Sequence, residues 1–513
     1  IFGTEDNPVN FTHTAGKTLI TGNLFANDVT LGETSINGTV NANDINCGST
    51  TIAGNIVAKK ITLAENTIDG TITGTEITLG KTTLNGNITG TDVEIGDLSL
   101  NGTIAADNIT LAEITVVENS ELKINEAATE GNITLKGNVT STDSKTLTLN
   151  GNVEALCSSI NLNQGTFESK GTFTAQKDLE IDAISTFGKI VDAKENLTIN
   201  GTSTFNQTVE VGKNLVITGE SVFKDAVKAG ENLKITGNAA FESTEKSVEV
   251  GNNLTINGNA NFANTVTTGN NLTIEGDEII INGAAIAGKS EPFTEGSILL
   301  TGITKITANS LSATKDITLK SPSVTTENID AKNDVEIEGN KITTKEIKTT
   351  NNITLNGNVI ETSALNAAKN ITIQGTTIKN AALIATENVF INKDSEVLEQ
   401  TLNITGDVSS NNFEAVAKTQ TFGGTISVTN DFISKGESLI FAKAVAVKND
   451  FILEGETFVF SDTITVDNDF SCKGTQLNFA KAVTAKNMNL SGDEITFAGK
   501  VTVNQNAQIQ NTG

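Results

Sequence analysis

The chain of 513 residues carries 35 basic and 61 acidic side chains, a net charge of −26, and has no Trp or Tyr. Every basic residue is Lys and His13 is the one histidine, which excludes His-built metal clusters and leaves a Ser-His-Asp or Cys-His set only His13 to use. An acidic chain without Arg also lacks the local positive charge that nucleic acid demands, and the commonest interface hot-spot residues, Trp, Tyr and Arg, are all missing.

Ile1 to Pro8 reads neither as a signal peptide nor as an initiator segment, so a processed product or a fragment is expected. Residues 1–19 are expected to form an N-terminal cap or docking segment. Its apolar residues Phe2, Val9 and Phe11 are the candidates for self-association, covering either the chain's own first coil or the last coil of a neighbour.

A repeat begins at Ile20. Ile20, Ile36, Ile52, Ile68, Leu84 and Leu100 recur with a constant spacing of 16, and Gly22, Gly38, Gly54, Gly70, Gly86 and Gly102 keep the same spacing two positions later. Within each unit apolar and polar residues alternate, which is strand periodicity. Small residues such as Gly32, Gly48 and Gly80 suit tight turns. A unit this short cannot bury its own apolar face and gains stability only by stacking on its neighbours. Stacking pairs strand on strand in parallel, at about 4.8 Å. The expected fold is all-β: a right-handed parallel β-solenoid (β-helix) whose coil period runs from 16 to 19.

Residues 20–115 are read as coils with a period of 16, and 116–177 as irregular coils. Over 178–276 the period is mainly 18: Asn196, Asn214, Asn232, Asn253 and Asn271 open successive units, and Phe205, Phe223, Phe241 and Phe262 hold one fixed place after the first four of them. These residues are expected to stack as an Asn corner ladder and an internal Phe ladder. Asn suits a corner because it tolerates left-handed backbone and its amide can bond the Asn of the next coil. Irregular coils follow over 277–315, and a period of 18 returns over 316–405. Irregular coils fill 406–429, and the period is 19 over 430–506, with Phe441, Phe460 and Phe479 in register. Residues 507–513 form a short polar tail. At ~18 residues per coil the repeats make about 27 coils, or about 130 Å of solenoid.

No catalytic, cofactor-binding or metal-binding set emerges. One outward column reads Asp28, Asp44, Lys60, Glu76, Asp92, Asn108 and its neighbour reads Thr30, Asn46, Thr62, Thr78, Glu94, Thr110. The mixed charge argues against an ice-binding Thr face, and Ca²⁺ wants six to eight oxygens that no repeated motif supplies. A solvated surface is the simpler reading. Cys47, Cys157 and Cys472 are far apart, and Cys47 and Cys472 fall in inward slots, so buried free thiols are expected. Sequons such as Asn37-Gly-Thr and Asn196-Leu-Thr arise from the repeat itself, where a corner Asn precedes a strand.

Units such as Ile52-Ala-Gly-Asn-Ile-Val-Ala-Lys-Lys-Ile-Thr-Leu63 resemble bactofilin coils. The whole chain, with its blocks of changing period, is more similar to the long solenoids of bacterial surface proteins, autotransporter passengers and large adhesins. The resemblance is one of pattern. The absent Arg, Trp and Tyr argue against an enzyme, and no cofactor is expected; the resemblance implies a structural role outside the cell or on its surface, as a fibre, sheath or stalk subunit. The expected partner is the chain itself, joined head to tail, with no membrane insertion. Two other readings are an adhesin that binds a host or matrix ligand through side loops, and a cytoplasmic bactofilin-like filament.

Overall fold

The computed structural model describes residues 4–6, 8–125, 131–290, 292–393, 395 and 399–512. Phe2 lies outside the described residues. The chain is an all-β parallel solenoid, as the periodicity predicts, with no helix among the described residues. It divides into two compact units: residues 1–251 with 255–257, and residues 252–254 with 258–513.

The first unit opens with β1 (Val9–Ile20), β2 (Leu24–Ile36), β3 (Thr39–Ile52), β4 (Asn55–Ile68) and β5 (Thr71–Leu84). Each pairs in parallel with the next, mostly at the spacing of the repeat. Val40, Ile56, Ile72, Ile88 and Ile104 therefore lie in register, one above another. All five are at most 1% exposed. The alternation of inward and outward side chains places Lys60 and Glu76 outside, where they pair at 3.3 Å.

Gly54 and Gly70 lie in the bends that join successive strands, whereas Gly32, Gly48 and Gly80, expected at tight turns, lie inside β2, β3 and β5. Gly70 does not occupy the left-handed region. A β-carbon there would instead run into the carbonyl oxygen of Gly54 on the previous coil. Close approach of coil on coil, not backbone twist, demands the missing side chain.

The stretch from 116 to 177 keeps the parallel ladder while its spacing changes. Leu122 pairs with Ile104 on one side and with Leu149 on the other, so the second step is much the longer. In the coils above, extra chain is absorbed outside the core: Asn163 and Gln164 take positive φ, and Asn163 Nδ2 donates to the Thr142 carbonyl at 2.8 Å. From Leu179 the spacing becomes regular again, with Leu197, Leu215 and Leu233 in register.

In the second unit Leu272–Ala287 pairs along its length with Ile298–Ala313, and a short antiparallel hairpin, Lys289–Ser290 with Phe293–Thr294, is inserted between them. Regular coils follow through Ile317, Val335, Ile353 and Ile371. The slightly longer coils after 430 carry Phe432, Phe451 and Phe470 in register. Exposed ion pairs join successive coils, among them Lys345–Glu327 at 2.6 Å, Lys379–Glu361 at 3.2 Å and Lys435–Glu454 at 3.2 Å. Each contributes only about 0–1 kcal/mol.

Candidate functional site

The residues singled out from the sequence form ladders, and the backbone explains why. At a corner the strand pairing lapses, so the first N–H of the next coil finds no carbonyl below it. Asn side chains fill that place. Asn196 Oδ1 accepts both the backbone N–H of Asn214 at 3.1 Å and its Nδ2–H at 2.8 Å. Asn214 Oδ1 does the same for Asn232, at 3.2 and 2.8 Å. In the second unit Asn253 Oδ1 accepts both from Asn271, each at 3.2 Å. The amide is the reason for Asn here. None of these five residues has the left-handed backbone expected at a corner; positive φ among non-glycine residues occurs at Asn163, Gln164 and Asn392.

Asp can hold a rung because the accepting oxygen does most of the work. Asp178 Oδ1 accepts the Asn196 Nδ2–H at 2.7 Å and its backbone N–H at 3.2 Å. These two hydrogen bonds hold the Asp178 carboxyl below its ordinary value. Its contribution to stability is therefore present above the ordinary carboxylate range and lost as pH falls through the lowered folded-state value. Asp178→Asn, which keeps an accepting oxygen, is expected to flatten the acid limb of the stability curve while leaving neutral stability close to wild type. Chemical denaturation across an acid series checks this, and an unchanged acid limb would contradict it.

The Phe ladder runs through the core of the first unit. Phe187, Phe205, Phe223 and Phe241 stack with ring centroids 5.0, 4.9 and 4.8 Å apart and planes within 4°. That separation is the strand spacing itself, so the backbone sets the stack. Phe262, in the second unit, is fully buried. The second unit also carries a stack of Phe422, Phe441, Phe460, Phe479 and Phe497, with neighbouring centroids 4.9, 4.8, 5.0 and 4.8 Å apart. Beside it stand Phe432, Phe451 and Phe470, in edge contact with the first stack.

Val9 and Phe11 belong to β1, which is itself laid as a coil on β2, with Val9 opposite Ala26 and Phe11 opposite Val29. Val9 is 45% exposed and Phe11 half-buried. The outward column stacks as read, Asp28 on Asp44, Lys60, Glu76, Asp92 and Asn108 in turn. Asn108 Nδ2 donates to Asp92 Oδ1 at 2.8 Å. Among the described residues no three His, Cys, Asp or Glu side chains gather as a metal site would require.

Cys47, Cys157 and Cys472 are free and buried. Burial pushes the Cys47 and Cys157 thiols up to about 11 and raises Cys472 as well. At neutral pH all three are protonated and shielded, so a thiol probe should react only after denaturation. Reductant should leave the melting temperature unchanged; a shift would mean that a disulfide had been present.

No family model matches the chain, and neither the curated proteins nor the solved structures contain a match.

Proposed function

We propose that the chain is a structural β-solenoid subunit of an extracellular or cell-surface fibre, sheath or stalk of the bacterial surface-protein type, associating end to end with copies of itself. The observation that supports this most is the unbroken ladder of strands and stacked side chains within each unit. Coil is bonded to coil by backbone, Asn and Phe contacts. In such a stack each coil is held by the coils on either side, so the contacts add along the ladder.

Association would extend the same ladder. A neighbour's coil placed against Ala507–Asn511, where Ile509 is 54% exposed, would continue the parallel pairing, and β1 offers a coil of similar kind. A head-to-tail contact of this sort propagates instead of closing. Electron microscopy and light scattering of the purified chain test the reading, with deletion of residues 1–17 as the comparison. Uniform fibres from the intact chain, lost on deletion, support it. A chain that stays monomeric under all conditions overturns the self-association. A second reading, adhesion through side loops, draws on the inserted hairpin, where Phe293 is 64% exposed. Retention of host-matrix binding by the monomer, abolished by Phe293→Ser, would favour it.

A further inference from the structure

A groove of about 840 Å³ crosses successive coils of the second unit where the chain turns out of the strands beginning at Ile317, Val335, Ile353 and Ile371. One wall carries Glu338, Asn356 and Gln374, which follow one another in the ladder. The other carries Asn340, Asn358 and Thr376. The floor is glycine at 339, 357 and 375; a β-carbon on Gly339 would run into the Ser321 carbonyl. We infer that this groove binds a neutral, linear oligosaccharide laid along the stack of coils.

The chemistry of the walls selects the ligand. Asn and Gln amides donate and accept together, as a sugar hydroxyl does. Asn358 Nδ2 donates to Asn340 Oδ1, and that rung leaves each of the two amides further donor and acceptor capacity for a ligand. The rungs repeat at about 4.8 Å, so the site suits a chain that presents the same group again and again. Anionic ligands fare worse. Lys320, which lines the groove, is already shared between Glu336 at 3.8 Å and Glu338 at 3.7 Å. An added peptide strand would need free backbone, and the floor has spent its donors: the N–H groups of Gly339 and Gly357 go to the carbonyls of Asn356 and Gln374, each at 2.9 Å. Gly375 N–H goes to Asn392 Oδ1, also at 2.9 Å, and Asn392 Nδ2 returns a bond to the Gly375 carbonyl at 3.0 Å.

Two buried polar atoms of the lining residues have no hydrogen-bond partner. Ser321 stands in the floor where the coils on either side have Gly302 and Gly339. It is only 6% exposed, and its hydroxyl has no hydrogen-bond partner. Toward the opposite end, Gln400 Oε1 is likewise without one. Beside Ser321, Ile303 (69% exposed) and Pro322 offer an apolar step against which the CH face of a sugar ring can rest.

The test is titration of the full chain with malto-, cello- and chito-oligosaccharides, with dextran sulfate and an extended Ser/Thr peptide as the competing classes. At least one neutral oligosaccharide should bind. The double variant Asn340→Ala/Asn358→Ala should weaken it by about tenfold or more, the loss expected from two hydrogen bonds. Should that variant misfold, Thr376→Cys coupled to a bulky maleimide blocks the groove instead, the native thiols being buried; the same label at Thr83→Cys, in the first unit, is the control and should not affect binding. The inference is overturned if no neutral sugar binds, if binding survives the blocked groove, or if the sulfated polymer or the peptide binds more tightly.

Discussion

Ile72→Asp is expected to melt well below the wild type. Ile72 is 1% exposed and sits in register between Ile56 and Ile88, so the new carboxylate would have apolar side chains above and below it. Burying that charge without a partner costs several kcal/mol, or forces the group to take up a proton and still leaves its oxygens unbonded. Relief would require the coil to open. In a stack of coils each repeat is held by its neighbours, so the damage should spread over the adjacent coils. Thermal melting followed by circular dichroism checks the size of the loss. Hydrogen exchange checks its place, with faster exchange centred on residues 55–104. Wild-type melting would contradict the register itself. Glu76→Gln provides the contrast: its exposed pair with Lys60 should cost under about 1 kcal/mol.

Phe223→Ala should be nearly as damaging for a different reason. The ring is fully buried and stacked between Phe205 at 4.9 Å and Phe241 at 4.8 Å. Truncation removes contacts on both faces and leaves a cavity that the stiff backbone cannot close, at a cost of about 3–5 kcal/mol. Phe223→Leu keeps much of the volume and should cost less than half as much. The rank order matters more than either number. Should Ala and Leu prove equal, the ring stack would not be the source of the stability. The Ser in each of these coils raises a related point. Ser203 and Ser221, in register on one inward column, are buried with unpartnered hydroxyls. Ser221→Ala should therefore be neutral or slightly stabilising, because it removes a desolvated group that makes no hydrogen bond.

Much of the fold was legible in the sequence because inward and outward positions alternate along a strand. That local rule placed Phe223 and Cys47 inside and Lys60 outside before any contact was known. The period of the repeat then set which of them would stack, since a ladder forms between whatever residues share a phase. Asn196, Asn214 and Asn232 announced themselves in the same way. The reason for each residue was less legible. Gly32, Gly48 and Gly80 read as turn residues yet lie inside strands, and Gly70 is small because the Gly54 carbonyl lies where its side chain would be. The corner Asn residues were expected to bond the Asn of the next coil, and they do; not legible was that Asn196, Asn214 and Asn253 also accept its backbone N–H, and without left-handed backbone. Both effects depend on how closely one coil approaches the next, a distance that no pattern along the chain encodes. The groove is the strongest case. Glu338, Asn340, Asn356, Asn358 and Gln374 are unremarkable polar residues in sequence, and only stacking the coils turns them into two facing walls. The amino-acid sequence determined the period, the inward faces and the partners in each ladder, because these follow from side-chain alternation. Tertiary structure alone decided which backbone N–H groups the corner amides accept and where a ligand could lie, because those properties belong to the space between coils.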